Sequence, residues 1–167
     1  MRRRTIVNSL LLILLQGMMW AATAETAQDI QTVVCTFDDD KEVSIKYEAA
    51  PAKRDTLPEG TPWSPGKSPM FLFTSATLKI GDSEVPVGAY SLYVIPGSKQ
   101  WILAVNKNIS GSRYDQKQDV LRARMDLGTL GSPEKKVSIA FAHINAKQCS
   151  LRIYYGKTGA WVELDEQ

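Results

Sequence analysis

The chain of 167 residues holds one histidine, His143, and two cysteines, Cys35 and Cys149. A zinc or copper centre gathers several imidazole or thiolate donors, so this inventory gives neither metal a ligand set. There is no Gly-x-Ser-x-Gly elbow, no cysteine-nucleophile signature and no phosphate-cradling glycine loop, which removes the best-marked hydrolytic and nucleotide-binding chemistries. No apolar run approaches the about 20 residues of a membrane-spanning helix. The longest, residues 10–15, stops at Gln16-Gly17. With 20 basic and 18 acidic residues the chain also lacks the clustered basic face of a nucleic-acid binder.

What stands at the N-terminus is a targeting pattern. Met1-Arg2-Arg3-Arg4, the short apolar run and Ala22-Thr23-Ala24 read as the n-region, h-region and cleavage site of a secretory signal peptide over residues 1–24. No cysteine follows the apolar run to accept a lipid. Removing those residues leaves 143, the size of one domain, residues 25–167. Arg2, Arg3 and Arg4 leave too, so the mature balance is 17 basic to 18 acidic residues, a net charge of −1. The expected location is periplasmic or secreted, with no stable membrane span after signal removal. In that compartment an even cysteine count predicts one disulfide, Cys35–Cys149, against the alternative of two buried free thiols. Val33, Cys35 and Phe37 share one strand face, and Cys149, Leu151, Ile153 and Tyr155 share another, so both sulfurs point toward apolar surroundings.

Period-two alternation recurs along the mature chain and no helical period competes with it. Residues 32–37 and 42–47 flank Asp38-Asp39-Asp40-Lys41 as a hairpin. Pro51, Pro58, Pro62 and Pro65 make residues 49–69 a long proline-rich surface loop, because proline blocks both ladder and helix. Strands are expected over 70–80, 90–95, 101–105, 119–127, 137–143, 149–155 and 160–164. Gly81-Asp82-Ser83-Glu84 and Gly156-Lys157-Thr158-Gly159 serve as turns between them. In residues 86–107 both strand faces are partly apolar, which predicts a central hairpin covered on both sides. The fold class is all-β, a single-domain antiparallel β-sandwich of about nine strands, with a partly closed barrel as the alternative.

"SRYDQKQD", residues 112–119, is the densest run of hydrogen-bonding side chains. Arg113 offers a planar fork, Tyr114 an aromatic face with a donor, and Asp115 and Asp119 offer acceptors. Together with Trp63 from the proline-rich loop, these are the parts of a site for a small polar or carbohydrate ligand. The competing account is loop anchoring, with Asp119 capping backbone amides and Arg113 paired internally. Asp38, Asp39 and Asp40 offer oxygens for calcium, yet three adjacent acids at a hairpin tip also simply favour the turn. His143, at the end of an apolar stripe, reads as a strand-end histidine, and Trp101 and Trp161 read as core or edge packing.

"LPEGTPW", "VPVGAYSLYVIPG", "WILAVNK" and "YDQKQD" resemble a bacterial exported family, domain of unknown function twenty-nine eleven. "CTFDDDKEVSIKY" and "CSLRIYYGKTGAW" resemble its cysteine-bearing members of acidobacterial type. The likeness spans roughly residues 32–164 and implies an exported, mostly β domain with no assigned reaction, cofactor or catalytic residue. Many relatives place an arginine after the loop tryptophan, whereas here Trp63 is followed by Ser64-Pro65-Gly66.

The reading that results is a monomeric, exported, non-enzymatic module with no cofactor and no metal. Its expected partner is a small polar ligand or an envelope component. One rival is a hydrolase of envelope or extracellular polymers acting through Asp115 and Asp119. Another is a protein-interaction domain that presents a sheet edge.

Overall fold

The computed structural model describes residues 28–167 apart from 55, 67, 111 and 112, so the expected signal peptide over 1–24 lies outside the described residues. The described residues form nine strands: β1 Ile30–Thr36, β2 Glu42–Glu48, β3 Met70–Thr74, β4 Leu78–Ile80 and β5 Ser83–Val85 come first. They are followed by β6 Gly88–Ile95, β7 Trp101–Asn106, β8 Asp119–Asn145 and β9 Gln148–Glu166. The only helical turn among the described residues is a 3₁₀ turn at Gln116–Gln118. Every pairing is antiparallel, in the spatial order β1-β2-β3-β6-β7-β8-β9-β4-β5. The sheet is not closed into a barrel.

The sheet folds over because β8 and β9 are long enough to belong to both halves. The first part of β8 pairs with β7, and its remainder pairs with β9. The faces brought together carry the alternate apolar residues of each strand. Val43, Ile45, Leu72, Leu92, Leu103, Met125, Ile139, Leu151, Ile153 and Leu164 are all 3 % exposed or less. Burial of one such aliphatic side chain contributes about 1.5–3 kcal/mol, so the alternation read from the sequence is the main source of stability. The Cys35–Cys149 disulfide, with Cα atoms 6.5 Å apart, staples β1 to β9 across the layer. The Tyr47 hydroxyl of β2 accepts a hydrogen bond from the Ile139 amide of β8 at 3.1 Å, and Pro51 bridges to Lys136.

The strand count matches the expected nine, but the divisions differ. Residues 70–80 split into β3 and β4. Thr74 accepts a hydrogen bond from the Ala76 amide at 3.1 Å and donates to the Ala76 carbonyl at 2.6 Å, and the chain leaves β2 to join β9. Residues 119–127 and 137–143 belong to one strand, as do 149–155 and 160–164. Gly156 does not start a turn. It takes a left-handed φ of 55° within β9, a conformation glycine adopts without steric cost. The inward face consequently passes from odd residues (Cys149, Leu151, Ile153, Tyr155) to even ones (Ala160, Val162, Leu164).

The hairpin β6–β7 is covered on both sides, as its apolar faces require. Leu92 and Val94 enter the core, while Tyr93 is buried on the opposite face beneath Tyr114. The proline-rich loop runs along the end of β6. Trp63 and Val94 exchange both backbone hydrogen bonds at 2.7 and 2.8 Å, and the Gly60 amide donates to the Pro96 carbonyl at 2.8 Å.

Candidate functional site

The segment 113–119 is organised around a buried amide. Asn106, fully buried at the end of β7, donates from Nδ2 to the Asp115 carbonyl and to Asp119 Oδ1, each at 2.8 Å. Its Oδ1 accepts the Asn108 amide at 2.9 Å. Tyr114 donates its hydroxyl to Asp119 Oδ2 at 2.5 Å and packs its ring edge against Tyr93, with centroids 5.0 Å apart. Burial, followed by the hydrogen bond to Asp119 and its negative charge, pushes the Tyr114 phenol well above its ordinary range. Asp115 caps the 3₁₀ turn by accepting the Lys117 amide at 3.0 Å. Both carboxylate oxygens of Asp119 therefore hold donors from the protein itself. Arg113 is exposed and forms no hydrogen bond or ion pair among the described residues.

Trp63 lies elsewhere. Its ring meets Tyr155 edge-on at a centroid distance of 5.3 Å, against the core face of the sheet. It borders a cleft of about 350 Å³ with Lys53, Pro65 and Tyr155. Val94, its backbone partner, and Tyr93, which supports Tyr114, are consecutive strand residues and point to opposite faces. Tyr114, Asp115 and Asp119 thus form one network that Trp63 does not join. His143 is exposed at the end of β8, with Nε2 3.9 Å from Asp38 Oδ1. Among the described residues no group of three or more His, Cys, Asp or Glu side chains is arranged to hold a metal ion.

A different set of side chains meets on β8 and β9. The long strand β9 is curled, so that Gln148 at its start donates to Asp165 near its end at 2.8 Å. The parity switch at Gly156 puts Ser150, Arg152 and Tyr154 from one arm on the same cleft as Trp161 and Glu163 from the other. The cleft has a volume of about 430 Å³. Its floor is the facing pair Gly128 and Gly159. A Cβ on Gly128 would come within 3.0 Å of the Trp161 ring, and one on Gly159 within 3.3 Å of Tyr154, so two bare backbones make room for two aromatic rings.

The polar groups of this cleft are unspent. The Ser150 hydroxyl and Glu163 Oε2 are buried without a hydrogen-bond partner among the described residues. Arg152 lines the same cleft and forms no hydrogen bond or ion pair among the described residues, not even with Glu163. Buried polar atoms are paired in the great majority of cases, and leaving one unpaired costs about 1–3 kcal/mol. Sequence reading passed over these residues because outward-facing polar side chains on a strand look like a solvated face. The signal that could have found them is the spacing Ser150, Arg152, Tyr154 followed by Gly156.

Among the described residues no helix is long and apolar enough to cross a membrane. No curated protein and no solved structure matches the chain. A family model does match over residues 29–164, and on that evidence the chain belongs to DUF2911, a family described as proteins of unknown function.

Proposed function

We propose that this protein is a monomeric, exported, non-catalytic β-sandwich domain that binds a small polar ligand in the cleft between the two arms of β9. The observation that carries the reading is the pair of buried, unpartnered acceptors, Ser150 Oγ and Glu163 Oε2, set beside the unpaired Arg152 and two aromatic rings. A cleft of 300–1,000 Å³ (about) with aromatic walls and few polar groups is the usual form of a small-molecule site. The cross-layer disulfide favours an oxidising compartment, periplasmic or extracellular. Tyr114, Asp115 and Asp119 serve in this reading as the anchor of their own loop, since their hydrogen bonds are spent within it. The same expenditure speaks against a hydrolase built on Asp115 and Asp119, because a catalytic acid or base must face the substrate.

The test is a thermal-shift screen on the exported, oxidised protein against sugars, oligosaccharides, amino acids, peptidoglycan fragments, calcium and small anions. Saturation at a hundredfold over Kd adds about 2.7 kcal/mol, hence several degrees of Tm. The expected shift disappears in Glu163→Gln and persists in Tyr114→Phe. A shift abolished by Tyr114→Phe and kept by Glu163→Gln would return the site to the 113–119 loop. Fractionation of cells, with mass determination of an N-terminus near Glu25, checks export.

A further inference from the structure

Resting on the cleft proposed above, we infer that its ligand is a small zwitterion, a free amino acid or short peptide carrying an ammonium and a carboxylate. The argument is one of charge. Glu163 and Arg152 border the same cleft of about 430 Å³, and neither is paired with the other or with any described residue. A carboxylate accepts hydrogen bonds only, and a guanidinium only donates them. The complementary ligand must therefore present donors at one end and acceptors at the other.

A neutral sugar can supply both, but it would leave a desolvated carboxylate oxygen and a guanidinium without countercharge. Charge-assisted hydrogen bonds are roughly twice as strong as neutral ones, and a planar guanidinium matches a carboxylate in a bidentate fork. An ammonium brings three donors, enough for both unpaired acceptors, Glu163 Oε2 and Ser150 Oγ. The rings of Tyr154 and Trp161 then offer apolar walls for the side chain that an amino acid carries between its two charges. The cleft thus assigns the ammonium to Glu163 and Ser150, the carboxylate to Arg152, and the side chain to the aromatic pair.

The experiment uses isothermal titration calorimetry on the exported, oxidised protein. The probes are phenylalanine, leucine and the dipeptide alanyl-phenylalanine, each in free, N-acetylated and C-amidated form, together with glucose and N-acetylglucosamine. Binding of a free amino acid or the dipeptide is expected, with at least a tenfold loss on acetylation and a similar loss on amidation. In Glu163→Gln the penalty for acetylation should collapse toward one, and in Arg152→Gln the penalty for amidation should do the same. Those ratios are internal to each variant, so a general loss of stability does not imitate them. Whether the amino acids or the dipeptide bind more tightly identifies the source. Equal binding of free and blocked forms, or binding of the sugars in their place, overturns the zwitterion while leaving a polar-ligand cleft intact. No binding by any probe, together with a flat thermal-shift screen, overturns both.

Discussion

Replacing Asn106 by alanine should be among the most damaging single polar changes in the chain, and its cost can be worked from the contacts. The amide sits fully buried where β7 ends and makes three hydrogen bonds, to the Asp115 carbonyl, the Asp119 carboxylate and the Asn108 amide. A neutral hydrogen bond contributes about 0.5–1.5 kcal/mol and one to a charged group about 1.5–3 kcal/mol. Two of the first kind and one of the second give roughly 2.5–6 kcal/mol, before any rearrangement lets water in. That is a large share of the about 5–15 kcal/mol by which domains are stable. Urea denaturation of the oxidised protein, followed by tryptophan fluorescence, measures it. The m-value should stay constant while the midpoint falls. Hydrogen exchange at the Asn108 amide should accelerate more than exchange at Leu72, in the centre of β3. A loss under about 1 kcal/mol with unchanged exchange at Asn108 would mean that the loop is not held by this amide, and the anchoring account would fall.

Removing the disulfide by a Cys35→Ala, Cys149→Ala double change opens a loop with a sequence separation of 114. The chain-entropy relation puts the loss at about 5 kcal/mol; a urea midpoint that barely moves, with or without reductant, would contradict it. At alkaline pH the Tyr114 phenol, raised in the folded state by burial and by Asp119, stabilises the fold fully below about pH 10, where the unfolded phenol keeps its proton. That contribution is lost as pH rises through the higher folded value, so the wild type should lose Tm above pH 10 more steeply than Tyr114→Phe, and parallel curves would refute the assignment. Lys41 links the first hairpin to the last strand through Glu166 at 2.6 Å. Lys41→Met should lower Tm, and adding Glu166→Gln should recover part of the loss by removing the stranded buried carboxylate.

The strands were legible because one face of each is buried, and alternation follows directly from that. The disulfide was legible for the same reason, since Cys35 and Cys149 lie in register with their apolar stripes. What misled was punctuation. Gly156 and Gly159 in β9 read as a turn, and the expected strands stop short of Gly128, Gly131 and Pro133 in β8. Yet Gly128 pairs with Gly159, Thr129 with Thr158 and Glu134 with Gly156. The irregular stretches of two adjacent strands lie opposite each other and bend in step, so neither ladder ends. Cross-strand registry of breaks cannot be read from a single segment. The β9 cleft went unseen for a related reason, because Trp161 and Glu163 join Ser150 and Arg152 only after Gly156 exchanges the faces of β9.

The two polar clusters differ in how much of their hydrogen-bonding capacity the protein itself uses. Around Tyr114 both Asp119 oxygens and the Asn106 amide oxygen have protein donors, so changes there should register in stability. Around Glu163 a buried oxygen has no donor among the described residues, so its hydrogen-bonding capacity is open to a ligand. Glu163→Gln should therefore leave the free protein as stable as the wild type or more stable, by up to about 1–3 kcal/mol, because the amide carries no charge to desolvate. The same change should weaken ligand binding at least tenfold. This inversion, stability kept or gained while binding is lost, is the pattern of a residue retained for function at the expense of the fold. Thermal melts of ligand-free wild type and Glu163→Gln measure the first half, and calorimetry the second. A clear drop in Tm of the ligand-free variant would identify Glu163 as a structural residue with an internal partner, and the cleft would lose its strongest claim to a ligand.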